Sequence, residues 1–139
     1  MTTPIKSEHP RIVVYAPIGR DGPATAELLR RSGMDATVCH GVDEVLQRAE
    51  TDASAVFIAE EGLFGHDLQA LSDWVDRQPP WSDFPFVVLT SKHQQPAVAA
   101  WRQRMVAALR NVSLLERPVQ SITLTSAVQA AVRGRLRQY

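Results

Sequence analysis

Four short apolar runs in this chain are each followed by residues that could do chemistry. Ala16, Pro17, Gly19, Arg20 and Asp21 follow the first of them, and Ala59, Glu60 and Glu61 follow the next. Thr90, Ser91 and Lys92 follow another, and Glu116, Arg117 and Pro118 follow the last. Carboxylates gathered in this way could hold a hard divalent cation, which seeks oxygen ligands. Glu60 has two readings. It is either a solvated loop acid, like Glu61 beside it, or a fixed negative charge facing Arg117. The second would be a charge-assisted pair, which a guanidinium can make bidentate, but the solvated reading is preferred. Asp21, just before Gly22-Pro23, fits a helix cap better than a metal ligand. The turn Gly19–Gly22 opens a helix and could cradle an anion on backbone amides. It matches neither the P-loop nor the dinucleotide fingerprint, so an ordinary glycine turn is preferred.

Other chemistries find less support. His9, His40, His66 and His93 are scattered without metal-ligand spacing, and His66 beside Asp67 reads as a surface histidine at a helix start. Ser91, His93 and Asp67 do not assemble into a supported triad. Cys39 is the only cysteine, which excludes an internal disulfide or a cysteine zinc cluster and leaves a buried, inert thiol. No metal and no cofactor is expected.

The elements that must position these residues alternate along the chain. Residues 11–16 form a β-branched run bounded by Pro10 and Pro17, which reads as a strand. An amphipathic helix over Ala24–Arg31 follows, opened by Asp21 and Pro23 and closed by Gly33. A weaker strand (35–40) and a helix (41–50) with Val42, Val45, Leu46 and Ala49 on one stripe come next. The third strand, 54–59, is apolar throughout, as expected when helices cover both faces of a sheet. A helix over 67–77 turns in Leu68, Leu71, Trp74 and Val75, and Gln78-Pro79-Pro80-Trp81 ends it. The fourth strand is 85–90. A helix over 96–110 carries Val98, Trp101, Met105 and Leu109 in register, with Trp101 buried. A brief fifth strand (112–115) precedes a last helix, 119–137, with Leu124, Val128, Ala131 and Leu136 inward. Five strand–helix alternations with short connections call for parallel strands and right-handed crossovers. The expected fold is α/β: a flavodoxin-like three-layer sandwich whose five-stranded parallel sheet runs 2-1-3-4-5, with five helices.

Composition agrees with one globular domain. The chain has 139 residues, 45% hydrophobic and 22% charged, close to average globular usage. Fifteen basic and fifteen acidic residues leave a formal net charge of zero, which argues against a dedicated nucleic-acid binder. No apolar run approaches the ~18 residues that would span a bilayer, and the polar first ten residues have no signal-peptide core. A cytoplasmic setting is the default expectation. Residues 1–10 read as a flexible tail and 11–139 as the domain. After Glu116 four arginines and no acid remain, and the last helix, without a glycine or proline stop, reads as continuing into a linker.

At the strand ends the sequence resembles the receiver domain of two-component response regulators, from about Arg11 to Arg137. The resemblance rests on element order, on Pro85–Ser91 as the family's fourth strand and on Leu115-Glu-Arg-Pro118 as its Lys-Pro ending, with Arg117 for the lysine. Thr90 falls on the family's switch hydroxyl and Leu114 on its rotating aromatic. The departures matter more. The family's two magnesium-binding acids read Ala16 and Pro17, and its phosphoacceptor aspartate reads Ala59. Sliding the strand by one residue to bring in Glu60 would invert its in/out pattern, and the longer glutamate would spoil the in-line geometry of phosphoryl transfer.

The resemblance therefore implies a non-phosphorylatable pseudo-receiver that acts by protein contact and is not itself an enzyme. Its implied interaction face is helix 4, strand 5 and helix 5, drawing on Trp101, Arg102, Arg104, Leu114, Arg133 and Arg137, for self-association or for docking on a kinase core. The implied context is the N-terminal regulatory module of a bacterial hybrid sensor histidine kinase in a phosphorelay. The alternative is a small-ligand or anion sensor using the pocket at the carboxyl edge of the sheet. A flavodoxin-like electron carrier fits poorly, because Ile18, Gly19 and Arg20 lack the hydroxyls of a flavin phosphate loop.

Overall fold

The computed structural model describes residues 10–51, 53–64, 68–79, 82–91 and 95–138. The elements run β1 (Arg11–Tyr15), α1 (Asp21–Arg31), β2 (Asp35–Val38), α2 (Val42–Thr51), β3 (Ala55–Ala59), a 3-10 turn (Glu60–Gly62), α3 (Leu68–Asp76), β4 (Phe86–Thr90), α4 (Pro96–Leu109), β5 (Val112–Glu116) and α5 (Ser121–Gln138). All pairings are parallel and the sheet order is β2-β1-β3-β4-β5. The expected flavodoxin-like architecture is the one observed. The sequence-based readings of residues 1–9, His66, Asp67, Pro80, Trp81, Lys92, His93 and Tyr139 lie outside the described residues.

Strand alternation sorts the core into two layers. Val13, Tyr15, Val56, Ile58, Phe86 and Val88 pack under α2, α3 and α4, around Val45, Leu71, Trp74, Met105 and Leu109. Ile12, Val14, Ala55, Phe57, Val87 and Leu89 pack under α1 and α5, on Leu29, Leu124, Val128 and Val132. Both β3 and β4 are buried along their whole length, whereas the edge strand β5 is half-buried to exposed. Trp74 anchors the first layer edge-on against Phe84 and Phe86, at centroid distances of 5.5 and 6.5 Å. Its indole N–H donates to Glu50 at 2.9 Å.

Several boundaries and one helix face depart from expectation. Helix α1 starts at Asp21, not Ala24, because the glycine turn folds straight into the helix with Gly19 at φ +57°. Strand β2 stops at Val38. In α5 the inward stripe runs Leu124, Val128, Val132 and Arg135, with Ala131 half-buried, whereas Leu136, expected inside, is 59% exposed. Arg135 takes the inner position because a long arginine can bury its stem and keep its head bonded. Its guanidinium carbon lies 5.1 Å from the Phe84 ring centroid, and Nη1 donates to Ser82 Oγ and Gln138 Oε1.

Candidate functional site

Parallel strands of similar length bring the ends of β1, β3, β4 and β5 to one edge. Ala59, the last residue of β3, faces the α1/α5 layer and is fully buried. The chain then turns through one 3-10 turn, and this local rotation swings the next side chain inward without slipping the strand. The turn lies so close beneath Tyr15 that a Cβ on Gly62 would stand 2.6 Å from the ring. Glycine is therefore required there for the close approach.

Glu60 is 0% exposed and four donors converge on its two carboxylate oxygens. The Ser91 backbone N–H and hydroxyl donate to Oε2 at 2.8 and 2.7 Å. Arg102 from α4 donates through Nε to Oε1 and through Nη2 to Oε2, both at 2.8 Å. Arg102 Nη2 also reaches the Ser91 carbonyl at 2.7 Å, so one guanidinium ties the end of β3, the β4–α4 connection and α4 together. Burial pushes the Glu60 carboxyl up, but the hydrogen bonds from Arg102 and Ser91 outweigh it and hold the carboxyl below its ordinary value. The same bond to Glu60 raises the Arg102 guanidinium further against its own desolvation. Both groups are charged.

A second arginine closes the neighbouring corner. Arg117, directly after β5, donates through Nη1 and Nη2 to the two oxygens of Glu61 at 2.8 and 3.0 Å, and through Nη2 to Asp21 Oδ2 at 3.1 Å. Desolvation opposes its charge, but Glu61 and Asp21 raise its affinity for the proton. Arg117 is placed by a backbone bond from its N–H to the Thr90 carbonyl at 2.9 Å, and its bond to Pro118 is cis. Thr90 is buried, its hydroxyl 3.4 Å from the Leu115 carbonyl.

Four expectations are corrected here. Glu60 is neither a solvated loop acid nor the partner of Arg117: its partner is Arg102, and Arg117 takes Glu61. Glu61 is half-buried and paired with Arg117, not a free loop acid. Asp21 is the first residue of α1, one past the N-cap position at Arg20, and its carboxylate is bonded to Arg117. Arg102, expected on an interaction face, points into the rim with 18% of its side chain exposed. Ala16 is buried and Pro17 exposed, and neither brings a side-chain oxygen to this corner. Among the described residues no three metal-ligating side chains gather.

The remaining face residues are divided. Arg104, Leu114, Arg133 and Arg137 are exposed, Leu114 at 47%, and so is Ile122 at 68%. Trp101 is half-buried against Phe64, ring centroids 4.8 Å apart. It lines an open groove of about 550 Å³ between α3 and α4, with Leu68, Ser72, Arg104 and Ala108. Among the described residues no helix is long and apolar enough to cross a membrane. Sequence spacing held one unused signal for Arg102. It stands on the stripe Val98, Arg102, Met105 and Leu109, and a cation on an inward stripe requires a buried acid.

No protein-family model matches the chain, and no curated protein matches it in sequence. Solved structures do match its fold. A CheY-like response regulator receiver domain from Methanospirillum hungatei JF-1 superposes with a TM-score of 0.73 at 11% identity, over 95% of this chain and 100% of that one. The signal receiver domain of an HD domain-containing protein from Pseudomonas fluorescens Pf-5 gives 0.74 at 13%, over 99% and 97%. A sensor protein from Polaromonas sp. JS666 gives 0.67 at 20%, over 91% and 98%. The fold is that of receiver domains.

Proposed function

We propose that this chain is a receiver-fold signalling domain that accepts no phosphoryl group and works by protein contact. The observation that carries the reading is the chemistry at the end of β3. Ala59 has no nucleophile, and the first carboxylate after it, Glu60, is buried and already holds four hydrogen bonds. A carboxylate so buried and so held by its donors is not presented to an incoming phosphorus in the way that in-line transfer demands. Next to it, the guanidinium of Arg117 lies between Asp21 and Glu61 and supplies the positive charge that these acids would otherwise seek in a metal ion.

The proposed context is the N-terminal regulatory module of a bacterial sensor histidine kinase. The likeness to a receiver-fold sensor protein supports it at the level of fold, and no step of catalysis is assigned to this domain. The proposed contact surface is the outer side of α4, β5 and α5, on which Leu114, Ile122, Arg133 and Arg137 are each exposed. Arginine is among the residues enriched at interface hot spots.

Incubation with Mg²⁺ and acetyl phosphate, read by intact mass, tests the central claim. No covalent adduct is expected, and an acid-stable, base-labile phosphate on any side chain would overturn it. Sedimentation velocity across a concentration series tests the surface. Charge reversal at Arg133 and Arg137 should shift self-association or binding to the adjoining kinase core, and indifference to both would remove this face from the proposal.

A further inference from the structure

The four donors around Glu60 have the geometry of a ligand site. A backbone N–H, a hydroxyl and the two-nitrogen edge of a guanidinium all point at one planar oxoanion, at 2.7–2.8 Å. They come from two separate segments, the residue after β4 and the middle of α4, and neither is adjacent in sequence to Glu60. The Arg102 head is fixed independently of the carboxylate, because Nη2 also donates to the Ser91 carbonyl at 2.7 Å. The donors are thus preorganised around the place that the anion fills, and preorganised donors in a dry site bind charge strongly. Arginine's fork matches carboxylates and phosphates alike.

We infer that the rim contains a buried oxoanion cradle, formed by Ser91 N–H, Ser91 Oγ and Arg102, and that Glu60 is a tethered ligand occupying it. The ligand class is a planar carboxylate or a small tetrahedral oxoanion such as phosphate. The covalent tether makes the occupant intramolecular, so its effective concentration excludes free anions from the native protein. The domain carries its own anion and does not wait for one to arrive. This deepens the reading of the rim given above, yet the two fail separately. A phosphorylated side chain would sink the former, whereas the cradle stands or falls on anion binding in the absence of any phosphodonor.

Removing the tethered carboxylate while keeping the donors should expose the site. Thermal unfolding of the Glu60→Ala chain is followed in sodium formate, acetate, phosphate and chloride at matched ionic strength. Formate or phosphate should raise its unfolding temperature saturably by several degrees, because binding to the native state alone adds stability. Glu60→Ala/Arg102→Met should lose that response, and the wild-type chain, its cradle filled, should show none. A Glu60→Ala chain that responds equally to chloride, or responds equally without Arg102, overturns the inference. So does a wild-type chain that gains as much as the variant. Should Glu60→Ala be unfolded in chloride, formate or phosphate must restore its native circular dichroism, and a chain unfolded in every salt overturns the cradle. Glu60→Gln, which keeps the volume but not the charge, should remain blind to all four anions, and a saturable rise in it equal to that of Glu60→Ala would also count against a filled seat.

Discussion

Arg102 and Arg117 each grip a glutamate at the carboxyl edge of the sheet with two guanidinium nitrogens, at 2.8 Å in one case and 2.8–3.0 Å in the other. Their surroundings differ. Glu60 is sealed, and 18% of the Arg102 side chain is exposed. The side chains of Arg117, Glu61 and Asp21 are 26, 22 and 43% exposed. Water screens the second cluster more than the first, whose carboxylate it does not reach. Equal geometry therefore does not mean equal energy. In the dry cluster loss of one partner strands a charge, and in the wet one the survivor is rehydrated.

The largest effects are expected at the dry cluster. Glu60→Gln or Arg102→Met should each lower unfolding free energy by about 3–5 kcal/mol, as when one member of a buried pair is removed. Urea denaturation reads this directly. The double variant should cost less than the sum, because neither charge is then left alone. If either single variant lost under about 1 kcal/mol, the contrast between the clusters would disappear. Gly62→Ala ranks next. Its Cβ would collide with the buried Tyr15 ring at 2.6 Å, so the turn that aims Glu60 must shift, at about 1–3 kcal/mol for an overpacked site. Replacing Tyr15 by leucine in the same chain should return part of it, and a Gly62→Ala chain as stable as wild type would show that the turn does not depend on this close approach.

Acid should erase the advantage of the dry cluster. The folded-state pKa of Glu60 lies below its unfolded value, so its contribution is complete above the ordinary glutamate range and is lost as pH falls through the folded value. The difference in unfolding free energy between wild type and Glu60→Gln should be constant near neutrality and shrink steadily on acidification. Subtracting the two chains cancels the other carboxylates. A gap that widened in acid would mean that Glu60 is protonated in the native state.

The order of elements and the sheet topology were legible because they rest on repeated patterns, with apolar runs such as Val56–Ala59 and Val87–Leu89 separated by glycine and proline punctuation. Which acid meets which arginine was not. That depends on side-chain direction after the strand, and here one 3-10 turn rotates Glu60 in and leaves Glu61 at the rim. Periodicity says nothing about a turn of three residues. Arg102 stood on the inward stripe of α4, but Trp101 beside it drew the assignment because large aromatics are the usual core residues. By the same preference for apolar residues, Leu136 was expected inside, whereas Arg135 takes the inner position. In both helices the chain buries an arginine where apolarity alone would choose its neighbour, and in both a polar partner on another segment makes the burial tolerable.

The wet cluster sets the lower end of the scale. Arg117→Ala removes a bidentate bond to Glu61 and a single bond to Asp21, yet the two acids it abandons are partly solvated. The expected loss is about 1 kcal/mol or less. It should fall further in high salt, since screening acts on exposed charges over a Debye length of about 10 Å at 0.1 M. The Arg102→Met loss should hardly change under the same salt, because the counterions cannot reach a sealed carboxylate. The salt dependence, more than the size of either loss, separates the two arginines. If Arg117→Ala were as costly and as salt-blind as Arg102→Met, the corner it closes would be dry as well, and the distinction drawn from exposure would fail.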